Sequence, residues 1–295
     1  MTSPDMPEKP FGLDDEELID YPTVFEDGLF KDKTVIISGG GTEIGRGIAY
    51  LFARLGANVV ICGRKIETLT ETADGIRNGL GIEITTHVMS IREPDEVTGL
   101  FDMVWDKFGG LDLLINNGGG QFPQDAIDNS INGWNAVIDT NLNGTWYMMQ
   151  TAARRWRDAE KPGNIINIVV NIARGTRQTT HTCAARAGVI YLSKSVAVEW
   201  APLDIRVNCV SPGAISSYGF RVYPPEAMAK FKDSNPMRRT GNVWDIAEAC
   251  AYLGAPSSNF ITGEVLTVDG GNQMWGESWA FGEPEYFIKG RGGAE

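Results

Sequence analysis

Val35-Ile-Ile-Ser-Gly-Gly-Gly-Thr-Glu-Ile-Gly-Arg-Gly-Ile-Ala49 reads as a buried strand, a glycine turn and the opening of a helix. That arrangement seats the pyrophosphate of a dinucleotide. Gly39 and Gly41 can adopt φ > 0 and leave room for a phosphate, and the amides around Ile44 and Gly45 open a helix whose positive end faces the anion. A second apolar run, Asn58-Val-Val-Ile-Cys62, follows at about the 20-residue spacing of a dinucleotide-binding unit and ends in charge.

Outward from this unit, β-branched runs near 34–38, 58–62, 84–88, 112–116, 164–170, 205–210 and 265–268 alternate with helical stretches at 44–55, 66–77, 94–108, 131–157, 183–200 and 243–254. Continuous apolar strands of this kind suit a parallel sheet buried on both faces. The pattern predicts a single-domain α/β protein, a doubly wound Rossmann fold with a seven-stranded parallel sheet. It divides into an acidic arm at 1–30, the nucleotide-binding domain at 31–273 and a tail at 274–295. Ligands of such folds sit at the carboxyl ends of the strands, which places the informative loops after residues 38, 62, 88, 116, 170 and 210.

The chain has 295 residues, of which 42% are hydrophobic, enough for one large core. Residues 1–30 carry nine acidic side chains against the single base Lys9, so most of the net charge of −12 lies in the arm, which reads as solvated. Tyr21, Val24, Phe25 and Phe30 could order it on a partner. The arm is neither an Arg-rich transit peptide nor an apolar signal segment, and no stretch approaches the roughly 20 apolar residues of a membrane span. Four cysteines without CxxC spacing and two histidines argue against zinc, so no metal is expected. An acidic balance without a basic stripe argues against nucleic acid, and the compartment expected is the cytoplasm.

The second strand runs into Gly63-Arg64-Lys65, where an acidic residue would bind a ribose 2′-hydroxyl. Two cations there favour a 2′-phosphate and hence NADP(H), Arg64 as a fork of donors and Lys65 as added charge. The alternative is a basic pair in the first turn of a surface helix.

Ser38-Gly-Gly-Gly-Thr-Glu-Ile-Gly45, Asn116-Asn-Gly-Gly-Gly120, Asn141 in a long helix and Ser211-Pro-Gly213 together resemble the short-chain dehydrogenase/reductase family, matching its TGxxxGxG turn and NNAG loop over residues 31–273. The runs Asn116–Phe122, Ala184–Val189 and Phe260–Gly263 are most similar to the branch of peroxisomal trans-2-enoyl-CoA and 2,4-dienoyl-CoA reductases, and bacterial citronellol or citronellal dehydrogenases are also similar. The resemblance implies that Ser38, Gly39, Gly41, Thr42, Ile44 and Gly45 hold the pyrophosphate and that Asn117 and Gly118 border the adenosine. It implies that Pro212, Gly213 and Ile215 hold the nicotinamide carboxamide. Two positions depart from the pattern. Glu43 replaces the middle glycine of the turn and brings a Cβ and a charge toward the pyrophosphate, and Ser90 stands where an aspartate usually meets the adenine.

The family's chemistry uses a tyrosine acid, a lysine four residues later and a serine. Here the corresponding positions hold Thr182, Arg186 and Val170, and only Asn141 is kept. Spaced four apart at a helix start, Thr182 and Arg186 face one pocket. Arg186 can bond the nicotinamide ribose but cannot relay protons. Oxidising an alcohol or reducing a ketone needs a proton moved at oxygen, for which an un-ionised threonine is poor. Reducing an enoyl thioester needs fixed donors to hold a developing enolate, which Thr182, Asn141 and backbone amides can supply. His181 is a candidate proton donor, although a helix N-terminus lowers its pKa and a histidine that caps or packs is the alternative. Tyr191 is a second candidate acid or, instead, a subunit contact.

Gln121, Phe122, Trp146, Tyr218 and Tyr223 are candidates for the acyl site. The segment 218–242 holds Arg221, Lys230, Lys232, Arg238 and Arg239 against Glu226 and Asp233, which suits the phosphates of a CoA thioester or, alternatively, is a solvated face. The reading is an NADP(H)-dependent enoyl-CoA reductase, a homotetramer through helices 131–157 and 183–200 as the resemblance implies. The alternatives are a dehydrogenase or reductase of a terpenoid or other apolar alcohol, and a non-catalytic subunit paired with an active paralogue.

Overall fold

A computed structural model describes residues 12–217 and 231–275. The strands are β1 (Thr34–Ser38), β2 (Asn58–Gly63), β3 (Thr85–Val88), β4 (Leu113–Asn116), β5 (Gly163–Ile168), β6 (Ile205–Pro212) and β7 (Val265–Val268). They form one 7-stranded sheet in the order β3-β2-β1-β4-β5-β6-β7, and every pairing is parallel. This is the doubly wound fold that the alternation of apolar runs predicts.

Period two along the strands divides the core. Val35 and Ile37 face one layer with α2 (Glu43–Arg54), α3 (Ile66–Leu80) and a C-terminal helix, Val243–Gly254. Ile36 faces the other, with α4 (Pro94–Phe108), α6 (Thr145–Asp158) and α7 (Thr180–Trp200). Numbering the helices in chain order makes α1 Asp15–Asp20, α5 Ile131–Ile138 and the C-terminal helix α8. β1 lies between β2 and β4, so the chain's direction of winding reverses there and a crevice opens at the carboxyl ends of β1 and β4.

Two elements differ from expectation. The helix expected over 131–157 is interrupted by a π-helical turn, Asp139–Gly144, between α5 and α6. The arm expected to be solvated is, from residue 12 onward, docked on the domain. Leu18 and Phe30 join the core, Arg54 donates to the carbonyls of Leu18 and Tyr21, and Trp244 Nε1 donates to Pro22 O at 3.0 Å. Leu18, Ile19, Tyr21, Phe25 and Phe30 meet the core layer of α2, α3 and α8, whereas Val24 is left exposed. Of the acidic side chains, Glu16 and Asp20 face outward and Asp15 turns to Arg46 and Tyr50 of α2.

Among the described residues no helix is long and apolar enough to cross a membrane, and no group of three or more His, Cys, Asp or Glu is placed to hold a metal ion.

Candidate active site

The crevice is a cavity of about 800 Å³ lined by Gly39, Gly41, Thr42, Glu43, Arg46, Arg64, Lys65, Thr68, Ser90, Ile91, Gly118, Gly119 and Ser217, a size that suits a cofactor. Thr42 is the N-cap of α2 and makes no side-chain cap bond, so no side chain takes the first amides of that helix. Gly39 takes φ +66° as the turn requires, but the second left-handed residue is Glu43 at φ +55° and not Gly41. Gly41 is small for another reason: a Cβ there would lie 2.9 Å from Thr68 of α3. One Glu43 carboxylate oxygen is buried without a partner.

The other residues expected at the cofactor shape the crevice from behind. Ser38 Oγ accepts from Gly118 N at 2.9 Å, and Asn117 Nδ2 donates to the carbonyls of Ser38 and Gly39. Ile44 packs against the core, and Gly45 is buried against the Gly39 carbonyl. Arg64 and Lys65 are exposed at the mouth, with no ion-pair partner among the described residues. Ser90 Oγ accepts from Arg92 N at 3.3 Å. Pro212 ends β6, while Gly213 and Ile215 line a neighbouring cavity of about 320 Å³. These residues and uncapped amides fit a dinucleotide.

The π-turn carries Asn141 inward, where it is buried. Its amide is oriented by one backbone residue: Gly120 N donates to Asn141 Oδ1 at 2.9 Å and Asn141 Nδ2 donates to Gly120 O at 2.9 Å. The same Nδ2 donates to Thr182 Oγ1 at 2.9 Å. Arg186, one turn along α7, is 6% exposed, with Nη1 donating to Asn141 O at 3.5 Å and Nη2 to Gly118 O at 3.4 Å. A Cβ on Gly119 would overlap that guanidinium. Burial pulls the Arg186 pKa down to about 10, which still leaves a cation at neutral pH, paired with no carboxylate among the described residues. Val170 presents only carbon where a serine would stand.

His181 is buried with its Nδ1 accepting from Thr182 N at 2.7 Å and its Nε2 without a partner. Its ring meets Phe122 edge-on at 4.6 Å between centroids. Burial lowers its pKa, against a smaller opposing effect of the Phe122 and Thr179 carbonyls. The imidazole is therefore neutral at pH 7.

Some candidates lie elsewhere. Trp146 stacks on Trp200 at 6.2 Å in the core layer of α4, α6 and α7, away from the acyl site expected for it, because α6 turns it to that face. Tyr191 is 74% exposed, far from acid work in a buried site. Gln121 lies exposed on the loop after β4 with Phe122. Of the cations after β6, Arg238 pairs with Asp233 and lies over Trp275, and Arg239 pairs with Asp245. Tyr218, Arg221, Tyr223, Glu226 and Lys230 lie outside the described residues. Gly119 and Gly120, which in the sequence stand only as part of the Asn116–Gly120 run, admit the guanidinium and orient Asn141.

This fold and crevice are those of an oxidoreductase class, and the chain belongs to the short-chain dehydrogenase/reductase family. A family model described as enoyl-(acyl carrier protein) reductase matches residues 41–273. The chain is 37% identical over 249 residues to a probable 2,4-dienoyl-CoA reductase of Bacillus subtilis, covering 83% of this chain and 98% of that one. It is 36% identical to the peroxisomal 2,4-dienoyl-CoA reductase of Rattus norvegicus, covering 88% and 90%. Among solved structures it is similar to a short chain dehydrogenase from Bacillus anthracis, with TM-score 0.75, 38% identity and coverage of 83% and 98%. A citronellol catabolism dehydrogenase of Pseudomonas aeruginosa has TM-score 0.77, 32% identity and coverage of 86% and 100%.

Proposed function

We propose that the protein is an NADP(H)-dependent reductase of an α,β-unsaturated acyl thioester, an enoyl- or dienoyl-CoA. The observation that carries this reading is the direction of the bond between Asn141 and Thr182. Because the Asn141 amide donates, the Thr182 hydroxyl keeps its own proton to give to a substrate oxygen. The CoA-thioester relatives support the substrate class, and the exposed cations Arg64 and Lys65 at the mouth support the phosphorylated cofactor.

A bound nicotinamide would supply hydride to Cβ of an enoyl substrate or to Cδ of a dienoyl one. Negative charge then develops on the thioester oxygen, toward which Thr182 donates a hydrogen bond while the buried Arg186 cation offsets the charge. Neither group has to ionise. The proton that completes Cα comes from water, since the neutral His181 would have to become an imidazolate to give it. Carbonyl reduction, in contrast, needs an ionisable acid at oxygen, and none of the side chains gathered here is tuned for that.

The test is consumption of NADPH by purified protein with crotonyl-CoA, longer enoyl-CoAs and a 2,4-dienoyl-CoA, beside citronellol with NADP⁺. Thioester turnover is expected, with Thr182→Val lowering kcat by about 10²-fold or more, the loss that accompanies removal of one oxyanion donor, at unchanged NADPH affinity. Turnover of the alcohol alone, or of neither substrate class, overturns the reading. So does full thioester activity in both Thr182→Val and Asn141→Ala.

A further inference from the structure

The crevice has a wall that belongs to neither the glycine turn nor the strand ends. Gly12, Leu13 and Asp14 line it. Gly12 takes φ +92°, which favours glycine, and lies against the loop after β6: a Cβ built on it would come within 3.8 Å of Ser216 O and Ser217 Cα. On the other side, Arg46 Nη1 of α2 donates to Leu13 O at 3.0 Å. The chain thus runs along the crevice between Arg46, beside the pyrophosphate turn, and the loop after Ile215.

Its attachment is of two kinds. The base is anchored by apolar burial and backbone bonds, with Leu18 in the core, Ile19 against Gly79, and Arg54, Asn242 and Trp244 bonding residues 18 to 22. The tip is held by a polar latch, in which Asp15 accepts from both Arg46 and the Tyr50 hydroxyl. Arg46 also lies over the Tyr50 ring. Asp15 is half-exposed, so water can compete for the latch, whereas the base is sealed. Gly75 leaves room for it: a Cβ there would collide with the Tyr50 hydroxyl and lie 2.8 Å from Asp15 Oδ1.

We propose that residues 12–15 are part of the cofactor site, a strap that closes over the dinucleotide and slows its release, with Asp15 as the latch. The inference rests on the cofactor reading above but not on the substrate. A dinucleotide lying between the glycine turn and Ser217 has the strap across it, so the latch must open for exchange. Simple electrostatics makes the opposite forecast, since deleting an acidic residue beside an anion should tighten binding.

The experiment measures NADPH release from the full-length protein by stopped-flow displacement. Asp15→Ala is expected to raise the release rate about five- to thirty-fold, the factor that about one to two kcal/mol makes, while Glu16→Ala, an exposed neighbour carrying the same charge, leaves it unchanged. An unchanged or slower release in Asp15→Ala, or equal acceleration in both variants, overturns the strap. Should Asp15→Ala not fold, hydrogen exchange of the wild-type amides at 13–17 decides: slowing by saturating NADP⁺ supports the strap and indifference overturns it. Absence of any dinucleotide binding overturns the strap and the cofactor reading together. Failure with thioesters at intact NADPH binding overturns only the proposed substrate.

Discussion

Glu43 occupies a backbone conformation that suits glycine. At φ +55° its Cβ crowds the backbone, and one carboxylate oxygen is buried without a partner beside the expected phosphate site. Glu43→Gly removes a strain of roughly 1–2 kcal/mol, part of which the greater freedom of glycine in the unfolded chain cancels. The thermal midpoint is expected to rise by roughly 2 °C and NADPH to bind more tightly; a lower midpoint together with weaker binding would show that the carboxylate has a positive role. Arg64→Ala is expected to narrow the preference for NADPH over NADH, read from the two dissociation constants, because the fork to the 2′-phosphate is lost. His181 and Arg186 make the pH profile informative. The lowered His181 pKa means that imidazolium forms only below its usual range, so kcat with an enoyl-CoA is expected to stay level from roughly pH 6.5, the unperturbed histidine value, to about pH 8. It falls as pH climbs toward the Arg186 value of about 10, where the cation is lost. A rise in kcat on acidification below the unperturbed histidine value would instead mark His181 as a charged acid.

At the scale of elements, the break in the helix expected over 131–157 is the feature that builds the site. A π-turn inserts an extra residue and rotates the helix beyond it, which lets Asn141 reach both Gly120 and Thr182 while Gly144 packs on Ile91. A Cβ on Gly144 would lie 2.8 Å from Ile91 Cγ1 and 3.0 Å from Ile91 O. Gly144→Ala is therefore expected to cost about 1–3 kcal/mol in urea unfolding, and to weaken NADPH binding through Ile91, which lines the crevice. Unchanged stability would mean that the loop after β3 yields freely. The strands and the other long helices were legible, since their periodicity is local. The π-turn was not, because Asp139–Gly144 has no proline and keeps the apolar spacing of an ordinary helix, so that Asn143-Gly144 is its one local signal.

At the scale of the whole molecule, α5 and α7 leave apolar side chains unpartnered. Ile131 and Val198 are each 79% exposed and Tyr191 74%. We propose that these faces pair subunits into a homotetramer. Light scattering is expected to give four times the 32.2 kDa chain mass, and Tyr191→Glu combined with Val198→Glu a smaller species; a monomer in the wild type overturns the assembly.

What the sequence by itself determined is whatever a short window encodes: the strand, turn and helix of residues 35–49, the alternation that makes a parallel sheet, and the replacement of tyrosine and lysine by Thr182 and Arg186. Tertiary structure decided what depends on distant neighbours. It turned an acidic arm into a docked segment because Leu18, Tyr21 and Phe30, sparse in the sequence, each find a place against α2, α3 or α8. It buried Arg186 with no carboxylate beside it among the described residues, and it oriented the Asn141 amide through Gly120, 21 residues away. Charge count and periodicity are sums over neighbours in the chain, whereas burial and the direction of a hydrogen bond are set by neighbours in space.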